Sequence, residues 1–446
     1  MKKLLIILWA LILALPVNAQ YIRSSYFMDA SGERLSLNPA LRPNRGFIQI
    51  PVIGGLNLDA TTNLPSLDEL YELLSEDGEI TTDALMSKLK PVNSFDVNMK
   101  IAPVSFGFKA GKNFFTFGVN ARTNTNATIP KTMFEFIEDI SNSDMISGNR
   151  KYSITNEKLG LDLYSEVALG YSRTIGERLT VGGKVKVLLG MARLNLNVNK
   201  LEIDGYFPNE NDFDYNDPNI YDELNEKVYA KISSDAELQI SGKGFTISEN
   251  EEGYISEVNI DNFGIGGFGA AIDLGVHFKL TDNIDLSASI LDLGYLNWDE
   301  KYTTVYQSKA NFEANDIEDL ELFDFNILGF KNGMNQSMTS NLASTLVVGG
   351  EYRILKDKIG FGLLSTTRFG AEDTKSKLSA IITFRPTRGI NASVSFSTLS
   401  GYNSLGASIK LGPLFVATDY ILNFGENEEK YANAYLGISI PIGKKQ

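Results

Sequence analysis

Phe268-Gly269-Ala270-Ala271-Ile272-Asp273-Leu274-Gly275-Val276-His277-Phe278-Lys279-Leu280 alternates apolar residues at even positions with Gly, Ala, Asp, His and Lys at odd positions. Because a strand sends successive side chains to opposite faces, this segment has one apolar and one polar face. In a transmembrane barrel the apolar face contacts lipid, whereas in a soluble β-sandwich it lies in a core. The rest of the chain has to decide between these two folds.

The alternating pattern recurs along most of the chain, in roughly 14–16 segments of the length that a tilted membrane strand needs. Residues 113–125 and 389–398 are two clear examples. Tight turns rich in Gly, Asn and Asp, such as 109–113 and 281–283, separate successive segments and are typical of hairpins. A sandwich does not explain so many hairpins in one chain. We therefore predict an all-β fold, a transmembrane antiparallel β-barrel.

Other connections are long, and they are expected to form the loops at one rim of the barrel. Short turns at one rim and long loops at the other are typical of outer-membrane barrels. The predicted long loops are 55–94, 126–161, 200–233 and 313–342. Within them, a capping box at Ser66 to Glu69 predicts a helix, and 82–89 and 131–140 are further helix candidates.

The N-terminus carries an export signal. Met1-Lys2-Lys3 is basic, Leu4 to Pro16 is apolar, and Val17-Asn18-Ala19 offers small residues for cleavage. Residues 1–19 are therefore predicted to be a signal peptide. No other stretch approaches the roughly 20 apolar residues of a membrane helix. Together with the strand pattern, this predicts a multi-pass barrel in the outer membrane of a Gram-negative bacterium.

Composition excludes several classes of function. The formal net charge is −14, which argues against nucleic-acid binding because that needs clustered Lys and Arg. The chain has no cysteine and one histidine, His277. Cysteine nucleophiles and thiolate metal sites are thus excluded, and histidine-based catalysis is disfavoured. We predict a protein that is not an enzyme and that uses no cofactor.

Two strands change their apolar register midway. Residues 95–101 are apolar at odd positions, but after Pro103 the apolar side chains fall at even positions. Residues 284–290 likewise give way to Leu291 and Leu293. Since proline cannot donate to a β-ladder, a bulge or kink is expected at the first site. Pro103 and Leu291 are therefore predicted wall kinks; the alternative is a bulge near a rim.

The candidate site residues within the barrel are the polar side chains Asp273, His277 and Lys279, predicted to face the lumen. Histidine titrates near neutrality and suits an ion gate, although a buried, hydrogen-bonded histidine is the simpler interpretation. The acidic loop 202–226 superficially matches a calcium-binding loop, but Asp217 stands where the sharp turn requires glycine. We interpret it as a solvated outer loop with no specific metal site.

Two short motifs carry a resemblance to known barrels. Asn38-Pro39-Ala40 follows the signal closely, and Asp292-Leu293-Gly294 precedes Trp298 at a strand end. Both resemble motifs of the FadL-like transporters and the related PorV-like secretion barrels, and the overall layout is most similar to the domain-of-unknown-function family 5723. The resemblance implies 14 strands at 46–446 and a hatch at 20–45 that contains Asn38, Pro39 and Ala40. Proline at 39 restricts Asn38 to extended geometry.

Two functions follow as hypotheses. The first is a channel or transporter for hydrophobic or amphipathic small molecules, with a hydrophobic ligand and outer-membrane lipid as partners. The alternative is a non-conducting, PorV-like barrel that docks exported or surface proteins through its outer loops. The resemblance implies a lateral exit through a kinked strand for the first. The acidic loop and the helical loop segments favour the second.

Overall fold

The structure is a computed structural model, and it describes residues 21–50, 55–65, 82–142, 148–207, 219–251, 253, 255–316, 330–370, 374–387, 389–399, 402–425 and 430–443. The predicted signal peptide and the capping box at Ser66 lie outside these residues. Four α-helices are present in the described part: α1 (Arg34–Leu37), α2 (Thr82–Lys88), α3 (Lys131–Asn142) and α4 (Ile220–Asn225). The helices expected at 82–89 and 131–140 are thus found.

Strands form almost all of the rest. They are β1 (Gly46–Gln49), β2 (Leu56–Thr62), β3 (Val92–Ala110), β4 (Asn113–Pro130), β5 (Gly148–Ile175), β6 (Leu179–Phe207), β7 (Tyr229–Ser241), β8 (Lys243–Glu249), β9 (Ile255–Gly264), β10 (Gly267–Lys279), β11 (Ile284–Trp298), β12 (Thr303–Ala314), β13 (Met334–Asn335), β14 (Met338–Asn341), β15 (Ser344–Ile354), β16 (Ile359–Phe369), β17 (Thr374–Thr387), β18 (Ile390–Leu399), β19 (Tyr402–Leu411), β20 (Leu414–Gly425) and β21 (Lys430–Ile442).

The wall is a closed antiparallel barrel of 14 strands, which confirms the predicted fold class. The strands pair mostly with their neighbours in sequence, but β6 pairs with β10 and β11 with β15. β1 and β2 share one position in the wall, because both pair with β21 on one side and β3 on the other. This shared position closes the ring.

The strands at the loop rim extend far beyond the rest of the wall. β5 has 28 residues and β6 has 29, and the outer part of β6 pairs with β7, which pairs with β12. A separate two-stranded sheet joins β8 to β9. Strands enter each of the four segments predicted as long loops, 55–94, 126–161, 200–233 and 313–342, and they do so most extensively at 126–161, where β5 begins at Gly148. Cross-strand pairs with good packing extend the ladder where charge and turn residues alone suggested loops.

The outside of the barrel is apolar. Leu169, Val185, Phe268 and Leu363 are each more than 60% exposed, as part of a belt of exposed Leu, Ile, Val and Phe that encircles the wall. Exposed apolar surface of this extent indicates contact with lipid, because soluble proteins rarely expose such large patches. The barrel therefore spans a membrane through its strands. Among the described residues, no helix has the length and apolarity needed to cross a membrane.

The N-terminal segment, residues 21–45, lies inside the barrel. Asn44 is the one exposed residue in this segment. Tyr26, Phe27 and Leu37 form an apolar cluster with wall residues, and Ile22 and Met28 form another with Phe415 and Tyr435. The lumen is thus filled at this level by chain rather than by wall side chains alone.

Candidate functional site

The N-terminal segment is held by hydrogen bonds to many strands of the wall. The carboxylate of Asp419 in β20 accepts from the backbone amides of Arg23 and Ser24, at 2.9 Å each, and pairs with the Arg23 guanidinium at 3.3 Å. A bulge of β20 opposite Gly406 accompanies this contact. On the far wall, Lys184 donates to the carbonyl of Leu35 at 2.5 Å.

Asn38, Pro39 and Ala40 lie against the wall strands β6 and β10. The Asn38 amide donates to the carbonyls of Val276 at 3.2 Å and Ala288 at 3.1 Å, and its Oδ1 accepts from the amide of Ala40 at 2.9 Å. A Cβ on Gly182 would lie 2.5 Å from the carbonyl oxygen of Pro39. The triplet therefore packs closely against the wall, and the contact at Gly182 leaves no room for a side chain.

A buried ionic network lies across strands β4, β5, β6, β10 and β11. It consists of Arg122, Glu166, Lys186, Asp273 and Asp292, each less than 5% exposed. Lys186 lies 2.6 Å from Asp273 and 2.5 Å from Asp292, whereas Arg122 lies 2.9 Å from Glu166 and 3.1 Å from Asp292. Two cations thus share three carboxylates within this network.

Tyr21 connects this network to the N-terminal segment. Its hydroxyl donates to a carboxylate oxygen of Asp292. Burial, followed by the negative charge of Asp292, raises the pKa of Tyr21 well above its usual value, so the hydroxyl keeps its proton. The first described residue of the segment is thereby fixed to the centre of the wall.

Two cavities lie on opposite sides of the N-terminal segment. The loop-side cavity has a volume of about 540 Å³, and Asp96, Asn124, Asp162 and Lys375 are among the residues that line it. The turn-side cavity has a volume of about 690 Å³, and its lining includes Arg34 of the segment itself. A third, smaller cavity of about 90 Å³ lies beside the segment at Gly55 and Ala102.

The structure separates the three polar residues predicted for the lumen. Asp273 belongs to the ionic network, and its Oδ1 also accepts from the backbone amide of Asp292 at 2.8 Å. His277 and Lys279 instead line the turn-side cavity. Nε2 of His277 lies 3.4 Å from Asp285. These three residues therefore do not form one site.

The two predicted kinks differ in structure. At Pro103, β3 carries one extra residue relative to β4, between Ile101 and Val104, beside the break between β1 and β2. At Leu291 the ladder with β10 also shifts, and Asp292 has a φ of 57°. Leu291 itself is fully buried in the cluster with Tyr26, so its side chain points into the barrel.

Sequence reasoning missed the network and Arg34. The alternating pattern put Arg122 and Glu166 on the polar face of their strands, but it could not show which strands meet across the lumen. Lys186 has a visible signal, since it and Lys184 alternate with Val185 and Val187 and so share the polar face of their strand. In the described residues, no group of three or more His, Asp or Glu side chains is arranged to hold a metal ion.

Solved structures with some likeness to this barrel are known. A deltaS2S3 mutant of the TodX monoaromatic hydrocarbon channel is 11% identical, with 92% of this chain and 95% of that chain covered and a TM-score of 0.45. The P. putida toluene transporter TodX is 9% identical, with 93% of this chain and 95% of that chain covered and a TM-score of 0.42. A Pseudomonas aeruginosa FadL homologue is 8% identical, with 95% of this chain and 96% of that chain covered and a TM-score of 0.25. Because every TM-score is below 0.5, these likenesses add nothing to what the barrel's own geometry establishes.

No curated protein matches the sequence. The model of a family described as a family of unknown function, DUF5723, matches residues 39–419. This range runs from Pro39, the second residue of the Asn-Pro-Ala triplet, to Asp419, and it includes the ionic network and most of the wall. The resemblance to that family is thereby confirmed: the chain belongs to DUF5723.

Proposed function

We propose that this protein is a plugged channel of the outer membrane that passes small amphipathic molecules. The observation that carries the proposal is the pair of cavities, about 540 and 690 Å³, on the two sides of one buried segment. Both volumes are in the range of small-molecule pockets. Movement of the N-terminal segment would join them into one path. By analogy with other barrels, the rim with short turns is assigned to the periplasm.

The lining favours an amphipathic rather than a purely apolar solute. The loop-side cavity contains many Asn, Thr and Ser side chains, such as Asn98, Asn126 and Thr128. Transfer of a purely apolar molecule into such a lining gives little of the free energy of apolar burial. A molecule with a polar head matches this lining better. No catalytic step is part of the proposal.

A lateral exit at Pro103 remains part of this proposal. Gln49, at the end of β1, pairs with Ser439 of β21, and Leu56, at the start of β2, pairs with Leu436 of the same strand. The chain thus uses seven residues to cover a stretch that β21 covers with three. On the other side, Gln49 pairs with Ser105 and Leu56 with Ile101, so the bulge of β3 at Pro103 lies between these two partners. The cavity of about 90 Å³ reaches this place at Gly55 and Ala102. An opening here would release a solute into the membrane.

An engineered disulfide tests whether the segment must move. The chain has no cysteine, and the hydroxyls of Ser24 and Ser408 lie 2.6 Å apart, so S24C/S408C is placed to link the segment to β19. The control is S379C/S397C, because these hydroxyls lie 2.7 Å apart on the neighbouring wall strands β17 and β18. Efflux of butyl glucoside and hexanesulfonate from proteoliposomes is measured with and without reductant.

We expect oxidation to lower efflux through S24C/S408C at least tenfold, with recovery on reduction. Oxidation of the control is expected to leave efflux unchanged, because its disulfide joins wall to wall. Equal efflux through oxidised and reduced S24C/S408C would show that the segment does not gate a path. Absence of efflux through the unmodified protein would reject conduction of these probes altogether.

One observation favours the second candidate, a non-conducting barrel that docks exported proteins. The extension formed by β5, β6, β7 and β12 has its own apolar cluster, which includes Ile154, Leu201 and Ile232. A channel does not need an extension with its own apolar cluster at its rim, whereas a docking surface for a protein does. Native mass spectrometry of protein extracted in mild detergent separates the candidates. A stoichiometric protein partner without a small ligand would favour docking, and a retained small molecule would favour the channel.

A further inference from the structure

Arg34 is a buried arginine without an ion-pair partner among the residues that the structure describes. It is 9% exposed, its Nε is buried without a hydrogen bond, and its guanidinium forms no ion pair with any described residue. Burial lowers the pKa of Arg34, with partial compensation by the charges of Asp29 and Glu351. A buried charge that is only partly neutralised is costly, so such a residue calls for an explanation.

The nearby carboxylates are already engaged by another arginine. Arg385 pairs with Glu351 and lies 3.8 Å from Asp29, and it also donates to the carbonyl of Phe27 at 2.6 Å. Arg353 approaches Glu351 as well, at 3.9 Å. Arg385 and Arg353 already pair with these carboxylates. The positive charge of the three arginines therefore exceeds the negative charge of Glu351 and Asp29.

The cavity that Arg34 lines is cationic as a whole. Its lining contains nine Lys or Arg residues and five Asp or Glu residues, in a chain with a net charge of −14. Apolar side chains, namely Phe27, Leu41 and Phe114, line the same space. A positive, partly apolar cavity of about 690 Å³ suits a small anion that carries an apolar part.

We propose that the turn-side cavity binds a small amphipathic carboxylate, and that Arg34 is the side chain that receives the carboxylate. A guanidinium offers two parallel N–H donors to such a group, which a lysine cannot do. The apolar lining then contacts the short alkyl part. This site does not depend on conduction, since a barrel that transports nothing can still bind at this face.

Isothermal titration calorimetry on the full mature protein in detergent tests the site. The probes are hexanoate, its uncharged counterpart 1-hexanol, and inorganic phosphate. The variants are R34Q, R34K and the control R178Q, which removes the same charge from an exposed position that lines the same cavity. We expect hexanoate to bind at least tenfold more tightly than hexanol. R34Q should weaken hexanoate binding about tenfold or more, R34K less, and R178Q less than about threefold.

A second measurement separates binding from a structural role. Without ligand, R34Q should be at least as stable to urea as the unmodified protein, because it removes a buried charge without breaking an ion pair. Hexanoate should then stabilise the unmodified protein but not R34Q. The proposal is overturned if R34Q loses stability without ligand, or if R34Q and R178Q weaken binding equally. Phosphate binding in the absence of hexanoate binding would also overturn the carboxylate assignment.

Discussion

The loop-side and turn-side cavities share one barrel but differ in charge. Four Asp and three Lys or Arg residues line the first, whereas nine Lys or Arg and five Asp or Glu residues line the second. The N-terminal segment supplies Asp29, Arg34 and Arg42 to the turn side. The difference teaches that this segment does more than divide the lumen, because it also determines much of the chemistry of one compartment.

The largest expected effect comes from the network between the two cavities. Replacement of Lys186 by alanine leaves Asp273 and Asp292 buried without their shared cation. We expect a loss of about 3–5 kcal/mol in the free energy of unfolding. The measurement is urea unfolding of the barrel in lipid vesicles. If the network is only a passive filler, the loss will stay below about 1 kcal/mol.

A matched control for this prediction is Lys151 in the loop-side extension. Its ammonium lies 2.6 Å from Asp204, but the Lys151 side chain is 78% exposed. Exposed ion pairs contribute little, so K151A should leave the free energy of unfolding nearly unchanged. A similar loss in both variants would contradict the importance of burial.

The next effect concerns pH, and it is confined to the loop side. Glu157, which lies in β5 beyond the apolar belt, pairs with Val198 of an apolar cluster, and its Oε2 has no hydrogen-bond partner among the described residues. Burial raises the pKa of Glu157 from 4.5 to about 7. The folded state therefore binds the proton more tightly than the unfolded state, and stability falls as pH rises from about 4.5 to about 7.

Glu157→Gln removes this dependence. At pH 8 we expect the variant to be more stable than the unmodified protein by up to about 3 kcal/mol, since each unit of pKa shift is worth about 1.4 kcal/mol. Around pH 4 the two proteins should be nearly equal. The check is urea unfolding at both pH values, and a constant difference between them would contradict the prediction.

Two adjacent glycines test the separation of the cavities. Alanine at Gly182 would place a Cβ 2.5 Å from the carbonyl oxygen of Pro39, whereas at Gly183 the nearest atom would be 3.4 Å away. G182A should thus displace the Asn38-Pro39-Ala40 contact, with a loss of about 1–3 kcal/mol and higher efflux from proteoliposomes. G183A should behave like the unmodified protein. Equal efflux through both variants would show that this contact does not seal the lumen.

The smallest effect is expected for Asn38→Ala. It removes the hydrogen bonds that the Asn38 amide donates to two wall carbonyls and to the Tyr26 hydroxyl, and the one that its Oδ1 accepts from the amide of Ala40, at a cost of about 1–2 kcal/mol. Hydrogen exchange of residues 21–45 should become faster in this variant. Faster exchange without a change in hexanoate binding would mean that Asn38 anchors the segment but does not shape the turn-side cavity.

The sequence predicted the wall better than the rims. Alternation placed β10 correctly, because a period of two is a direct consequence of strand geometry. It failed at 126–161, where β4 continues to Pro130 and β5 begins at Gly148. These ends carry mixed polar residues, and their pairing depends on cross-strand neighbours that are distant in sequence.

The candidate site was only partly predictable. Asp273 and His277 were placed in the lumen by their position on the polar face of β10, yet the structure assigns one to the network and the other to the turn-side cavity. Whether a side chain points to the lumen or to the lipid follows from the alternation along its own strand. Its depth and its partners depend on the register of the neighbouring strands.

The sequence by itself determined a barrel with an apolar outside and a polar inside, and it marked Asn38-Pro39-Ala40, Pro103 and Leu291 as special. Those features depend on side-chain alternation and on the backbone limits of proline, which are local. Only the tertiary structure decided that Lys186 meets Asp292 and that Arg34 has no ion pair within the described part of the chain. Such facts depend on strand closure, which brings residues more than a hundred positions apart to within hydrogen-bond distance.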